Sequence, residues 1–562
     1  MATQAEFLST TRWGKKAGIV AIAASACLMS VVGSHVTAPA STSQSPVLHG
    51  VFTVAKWGDD KADKAAKDTK GKNEANLDPG SLYTIESAIG ARTVWQRLDS
   101  QKRQITGQGV TVALLDSGTA AVPGLESAGK LTYGPDLSIE GNGSLTDQDT
   151  FGHGTHMAGI IAARDAATLT AKTISKLDPS VQLGVAPDAG LLSLKLATTD
   201  GSTDVSQVIA ALDWVTEHQT SQNGSKVRVV NLSFGTDSVQ SYQLDPLAAA
   251  AENAWRHGLV VVVSGGNDGN GFGRLTNPAL DPYVIAVGAS DNNHTVAGWA
   301  KPTVAAFSNG GTAARHVDLL APGTSVASLR APGSNVDVNH PEGLVSGDTT
   351  GRLFRGSGTS QAAAVVSGSV ALLLQAYPNL TPDQVKALLT SSATPVAASA
   401  LYAGAGQLNI DAALSAVAKS GSGSAWKGIG GKDARAATQA FATSTGQGSI
   451  NAARGGNVLL DANGVALDGE VDVQGQPWRS TDWWNAASSL HAWSGGQWLG
   501  TTWTGPGWAP AAANGLQSAR WSSARWSSAR WSDADWSSAR WSSARWSSAR
   551  WSSARWSDHT WG

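Results

Sequence analysis

The sequence predicts an α/β domain with a doubly wound, mostly parallel sheet, followed by a small β-rich or disordered C-terminal accessory region. Three observations predict it. Short, near-continuous apolar runs rich in β-branched residues recur at 110–115, 191–196, 227–232, 259–263 and 284–287. Helix-like stretches alternate with them at 154–164, 204–218, 246–257, 360–376 and 382–391. The pattern ends near residue 414, before the Ser/Gly stretch 420–424, and beyond Trp478 the chain is rich in Trp, Gly and Ser. Strands buried on both faces read as continuous apolar runs, and their alternation with helices argues for a covered parallel sheet.

The organisation follows along the chain. Arg12, Lys15 and Lys16 precede an apolar run from Ala17 to Gly33, and Ala38 and Ala40 stand like the small residues of a cleavage site. This is the layout of an export signal over 1–40, and the run also approaches the length of an uncleaved membrane anchor. The single cysteine, Cys27, lies within it, so no intrachain disulfide can form. Residues 41–80 are polar and rich in Lys and Asp around 59–72, and read as a linker. Residues 82–98 could hold a short helix leading into the main domain at 81–417. Thr381 is placed as the N-cap of the 382–391 helix, with Pro382 at its first position. Residues 418–515 form a Gly/Ser/Trp-rich linker with a small β-module, suggested by the turn dipeptides Asn463-Gly464 and Asp468-Gly469. The tail, 516–562, repeats Ala-Arg-Trp-Ser-Ser, with Trp at every fifth position from 521 to 561.

Composition narrows the function classes. Of 562 residues, 41% are apolar and only 15% charged, with a net charge of −2. Nothing in that balance points to nucleic acid.

In an open α/β sheet, functional groups gather at the carboxyl ends of the strands. Asp116 follows the first strand, and Asn267 follows the 259–263 strand through Ser264-Gly265-Gly266. His153, between Gly152 and Gly154, begins a helix, and so does Ser360 after Gly358-Thr359. A helix N-terminus offers free N–H groups and a dipole that favours developing negative charge. A serine hydroxyl needs an imidazole base, and the base an orienting carboxylate. Asp116, His153 and Ser360 supply those parts, although each alone is a common loop or structural residue. His153 and His156 lack the His-Glu-x-x-His spacing of a zinc site. His156 is expected to pack or hydrogen-bond locally.

Together these segments resemble the subtilisin-like (subtilase, peptidase S8) serine peptidase family. Val112-Ala-Leu-Leu-Asp116-Ser-Gly118 resembles the family's aspartate motif. His153-Gly-Thr-His-Met-Ala-Gly159 resembles the histidine motif, and Gly358-Thr-Ser360-Gln-Ala362 the serine motif. Their order, Asp then His then Ser, is that of subtilases. Gly184-Val-Ala-Pro-Asp188, Val230-Asn-Leu-Ser-Phe-Gly235, Ser264-Gly-Gly-Asn267, Ala321-Pro-Gly323 and Gly404-Ala-Gly-Gln-Leu-Asn409 are also similar. The resemblance spans about 81–417. It implies a subtilisin-like fold and a secreted or cell-surface serine endopeptidase acting on proteins or peptides. Asp116, His153 and Ser360 would be its catalytic triad, and Asn267 with the Ser360 N–H its oxyanion site. Ser233, Phe234 and Gly235 would pair with substrate backbone. Ser264, Gly265 and Gly266 would line the primary specificity pocket, the two glycines leaving an open floor for large apolar side chains. No cofactor or metal ligand set is implied; structural calcium is common in the family, but no acidic loop is specific enough to name. Three positions depart from the pattern: Gln361 replaces the usual Met, and Ala364-Val365 the usual Pro-His.

The pentad tail has no simple Trp face, since positions five apart alternate faces in a strand and advance about 140° per repeat in a helix. It reads either as a low-complexity tail or as the sides of a short β-solenoid similar to pentapeptide-repeat proteins. Its Trp suit sugar stacking and its Arg suit anions, so cell-wall glycan or an anionic envelope polymer is the expected partner.

Overall fold

The computed structural model describes residues 78–419 and 436–504, apart from 142, 167, 222–223, 293, 296–297, 300, 457–458 and 460–465. The expected export signal, nearly all of the polar linker and the pentad tail lie outside the described residues.

The body is built on one sheet. Its strands are β1 (Val110–Asp116), β2 (Leu131–Tyr133), β3 (Gly190–Lys195), β4 (Lys226–Leu232), β5 (Val260–Ser264) and β6 (Ile285–Asp291). An antiparallel hairpin comes next, β7 (His294–Thr295) and β8 (Gly298–Trp299), then β9 (Thr303–Val304) and β10 (Leu319–Pro322). The sheet order is β10-β6-β5-β4-β1-β3-β2, every one of these pairings parallel, with β9 antiparallel on β6. β1 is buried along its whole length, as its unbroken apolar run requires. From β1 the chain first builds outward through β2 and β3, then returns to β4 on the other side. That switch of direction opens a crevice at the carboxyl end of β1. A separate hairpin, β11 (Val326–Leu329) with β12 (Leu353–Gly356), packs against the helix at 153–162.

Helices pack on both faces. The expected 82–98 helix is two, α1 (Leu82–Ala88) and α2 (Ala91–Trp95). The break is at Gly90, which takes a left-handed conformation (φ 82°), where a side chain would also strike Asp411. Next come α3 (His153–Ala162), α4 (Val205–Glu217) and α5 (Pro246–Arg256), then α6 (Thr359–Ala376), α7 (Pro382–Ser391) and α8 (Ile410–Lys419). Asp204 caps α4 and Asp245 caps α5. Thr381 caps α7 in a full capping box with Gln384, with Pro382 at N1. α6 is buried except at its C-terminal end and runs under the sheet against β1, β4, β5, β6 and β10.

Residues 436–504 form a packed module with α9 (Ile450–Arg454), α10 (Ser480–Ser488) and a three-stranded antiparallel sheet, β13 (Trp493–Ser494), β14 (Gln497–Trp498) and β15 (Thr501–Thr502). The Asn463-Gly464 turn lies outside the described residues. At Asp468-Gly469 the chain only bends, with Gly469 at φ 90°, and the module's sheet lies further along the chain. The module is seated on α4 and α5 by aromatic side chains. Trp483, Trp498 and Trp503 are fully buried, and Trp498 meets Trp503 edge-on at 4.8 Å between centroids. The Nε1–H groups of Trp483 and Trp498 both donate to Asp213 Oδ2, each at 2.9 Å, and Trp493 Nε1 donates to the Ala210 carbonyl at 2.8 Å. Paired indoles satisfy their one donor in this way while burying large apolar area.

Burial pushes the Asp213 carboxyl up to about 7, against the opposing indole hydrogen bonds. A raised carboxyl stabilises the fold below its unfolded value, and that contribution is lost as pH rises through about 7. The Asp213→Asn chain, which keeps both acceptor bonds, is therefore expected to lose less melting temperature than wild type between pH 5.5 and 8.5. The difference is on the order of a few kcal/mol at most, read by thermal unfolding at each pH.

Candidate active site

Asp116 is the last residue of β1 and is fully buried. Its Oδ1 accepts from the Ser117 N–H at 2.8 Å and lies 2.8 Å from His153 Nδ1. Burial raises the Asp116 carboxyl above its ordinary range, and the His153 charge and hydrogen bond pull it back. His153 is the first residue of α3, after Gly152 at φ 109°. The two motifs touch because glycine lets them. A Cβ on Gly154 would lie 2.0 Å from the Gly118 carbonyl oxygen.

Asp149 locks this contact. Its Oδ1 accepts from Ser117 Oγ and from the Gly152 N–H, both at 2.7 Å, and its Oδ2 accepts from the Thr155 N–H at 2.7 Å. Ser117 Oγ in turn accepts from the Gly154 N–H at 2.9 Å. One buried carboxylate thus joins the aspartate loop to the start of the histidine helix and caps that helix's free N–H groups. Motif reasoning passed over Asp149, which in sequence looks like any loop acid.

Ser360 is the second residue of α6, after Gly358 as N-cap. Its Oγ approaches the Ser233 carbonyl at 3.5 Å, and the Ser233 hydroxyl approaches the Ser360 carbonyl at 3.4 Å. Asn231 Nδ2 donates to Ser233 Oγ at 3.0 Å. Asn267 reaches the same helix start: its Oδ1 accepts from the Thr359 N–H at 2.8 Å and from Thr359 Oγ1 at 2.9 Å. With the amide oxygen so engaged, the amide NH2 is the remaining donor. Thr359 is a second residue that sequence reasoning missed. Nothing in its type or spacing distinguishes it from loop filler.

Ser264 ends β5, and Gly265 and Gly266 come directly after it. Their backbone groups are engaged within the protein. Gly265 N–H donates to the Val287 carbonyl at 2.9 Å, and Gly266 N–H to Thr359 Oγ1 at 3.2 Å. A Cβ on Gly266 would lie 2.4 Å from Asn309 Nδ2, and one on Gly265 would lie 3.0 Å from the Val287 carbonyl oxygen. Here the glycines admit close packing of the protein's own neighbours. Phe234 is buried beside the edge, and the Thr236 N–H donates to the Asn277 carbonyl at 2.9 Å. Among the described residues neither the N–H nor the C=O of Gly235 has a hydrogen-bond partner.

His156 is fully buried, with Nε2 at 3.2 Å from the carbonyls of Val326 and Phe354, so it pins hairpin β11–β12 to α3. Burial, reinforced by nearby His153, drives it down to about 3, which keeps it neutral. Among the described residues no group of three or more His, Cys, Asp or Glu is gathered as a metal site would be.

A model of the subtilase family, peptidase S8, matches residues 107–459. The chain belongs to the subtilase family of serine-type endopeptidases. The serine protease AprX of Bacillus subtilis (strain 168) is 34% identical over 290 residues, covering 51% of this chain and 61% of AprX. Subtilisin DY of Bacillus licheniformis is 31% identical over 320 residues, covering 56% of this chain and 93% of its own. A solved cold adapted subtilisin-like serine proteinase aligns at 26% identity with a TM-score of 0.40, over 56% of this chain and 97% of that one.

This subtilase's departures sit in its serine helix. Ala364 and Val365 are fully buried core residues, and the helix begins at Thr359 without disturbance. Gln361 is also fully buried, and its side-chain amide has no hydrogen-bond partner among the described residues. Such a group costs roughly 1–3 kcal/mol against an apolar side chain of the same shape.

The Gly154 contact yields a direct stability prediction. Gly154→Ala must push the Asp116 loop away and is expected to cost about 1–3 kcal/mol or more in urea unfolding. Gly271→Ala, at a position with nothing within 4 Å, is expected to leave the midpoint unchanged.

Proposed function

We propose that this chain hydrolyses peptide bonds through Ser360, His153 and Asp116, passing through an acyl-enzyme on Ser360. The observation that carries the reading is the fully buried Asp116–His153 pair, 2.8 Å apart at the sheet's switch point. With Nδ1–H donated to Asp116, Nε2 of His153 carries the lone pair that serves as base. Ser360 Oγ attacks the scissile carbonyl carbon as its proton passes to His153 Nε2. The carbonyl oxygen becomes an oxyanion bound by the Asn267 amide and the Ser360 N–H. The C–N bond then breaks, the leaving amine takes the proton from His153, and water repeats the sequence to free the acid. Asp116 stabilises the imidazolium formed on the way. Substrate lies along Ser233-Phe234-Gly235, whose Gly235 backbone has its donor and acceptor open for pairing. Ser264, Gly265 and Gly266 border the side chain next to the cleaved bond.

The export-signal layout supports action outside the cytoplasm, and the Trp- and Arg-rich pentads support an anchor that stacks on cell-wall glycan or pairs with an anionic polymer. The full chain should then sediment with purified cell walls, and a chain ending at residue 515 should stay in solution; equal sedimentation of the two contradicts the anchor.

Peptide hydrolysis tests the catalytic reading. Ser360→Ala is expected to abolish cleavage of casein. Asn267→Leu is expected to lower kcat with KM little changed, by the factor known for loss of the oxyanion asparagine in a subtilisin, about 10²–10³. An Asn267→Leu chain with wild-type kcat contradicts the assigned oxyanion site.

A further inference from the structure

The module at 436–504 touches the body beside the segment proposed to pair with substrate. Thr236 directly succeeds Ser233-Phe234-Gly235. Its backbone pairs both ways with Asn277, at 2.9 Å each, and its Oγ1 donates to the Ala453 carbonyl of α9 at 2.7 Å. One residue further, Asp237 Oδ1 accepts from the Gly456 N–H at 2.6 Å. Gly455 sits against the same carboxylate at φ 62°, where a Cβ would lie 2.3 Å from Asp237 Oδ1. Arg274 holds the carbonyls of Asp237 and Ser238 from the other side, at 2.7 and 2.9 Å.

Arg454 anchors the whole contact. It is fully buried, and its Nε donates to Asp204 Oδ2 at 2.7 Å, with Nη2 on Oδ1 at 3.3 Å. Its remaining donors go to the carbonyls of Gly469 and Val471 and to Asn451 Oδ1, all within the module. Asp204 is the N-cap of α4. The Arg454 guanidinium holds the Asp204 carboxyl below its ordinary range despite burial. A buried pair so fully hydrogen-bonded is costly to break from one side. The turn 453–456 is therefore clamped between the start of α4 and the far end of the 233–235 edge.

We propose that Arg454 and the 453–456 turn are positioning elements that hold the far end of the substrate-pairing edge. This rests on the assignment of 233–235 as that edge. The near end lies at Ser360, through Ser233. An extended substrate gains its pairing energy only if Gly235 stays in register, and Thr236 and Asp237 fix Gly235 from its C-terminal side. The module thus acts on substrate residues remote from the cleaved bond and leaves the reacting atoms untouched.

The test uses the full chain as wild type, Thr236→Val, Arg454→Met and Arg454→Lys, with p-nitroanilides of Phe lengthened one Ala at a time to Ala-Ala-Ala-Phe. In wild type kcat/KM is expected to rise with length. Thr236→Val and Arg454→Met are expected to lower the long-to-short ratio by about tenfold, a fraction of what a misplaced binding group can cost. The shortest substrate and the rate of fluorophosphonate labelling at Ser360 should be unchanged, and Arg454→Lys should recover part of the ratio. A wild-type ratio in the folded variants, or equal loss at every length, overturns the proposal. If Arg454→Met does not fold, Thr236→Val decides alone. A wild type that is neither labelled nor active counts against the triad. Calorimetric binding of the Ala-Ala-Ala-Phe amide to Ser360→Ala, with and without Thr236→Val, then decides the clamp: weaker binding with Thr236→Val supports it, and equal or absent binding overturns it.

Discussion

A carboxylate and an imidazole held 2.8 Å apart out of water is the contact on which the proposed chemistry rests. Burial raises the Asp116 carboxyl above its ordinary range. It is countered by the His153 charge and hydrogen bond and by the Ser117 N–H, and both partners must stay in place. The sheet supplies the first position, because β1 carries Asp116 to its carboxyl end with neighbours bonded on both sides. Asp149 supplies the second, joining Ser117, Gly152 and Thr155 through one buried carboxylate. The glycines at 118 and 154 allow the approach, since no side chain at 154 fits beneath the Gly118 carbonyl.

The serine side is organised by the same means. α6 starts where Gly358 takes an extended conformation and donates to the Gly323 carbonyl at 2.8 Å. Asn267 and Thr359 then tie the loop after β5 to the helix start. The Ala321-Pro-Gly323 segment therefore has a physical task. It carries the carbonyl that seats the N-cap of the serine helix, and a Cβ at Gly323 would lie 2.6 Å from the Gly358 carbonyl oxygen.

Much of this was legible in the residues. β-Branched runs mark the strands; Asp116 ends one of them and Asn267 follows another, while His153 and Ser360 stand at helix starts. Thr381-Pro382 marked its helix start for a local reason, a side-chain cap three residues from its partner. What could not be read depends on long-range contact. Asp149 looks like any loop acid until Ser117 is brought to it. Gly265 and Gly266 suggest open space, and only the fold shows Val287 and Asn309 standing close against them. The stretch 436–504 has little periodicity, so its Trp read as accessory. In the fold they bury against α4 through Asp213, 270 residues away from Trp483 in sequence. Arg454 and Asp204 likewise pair across 250 residues.

The central claim is that Ser360 is an activated nucleophile driven by His153. It is tested most directly by labelling the full-length chain with a fluorophosphonate probe beside Ser360→Ala and His153→Ala, with the modified residue located by mass spectrometry. The account predicts labelling of wild type at Ser360 alone, none in Ser360→Ala, and a rate lower by orders of magnitude in His153→Ala. A folded wild type that takes no label, or a His153→Ala chain labelled at the wild-type rate, would contradict it.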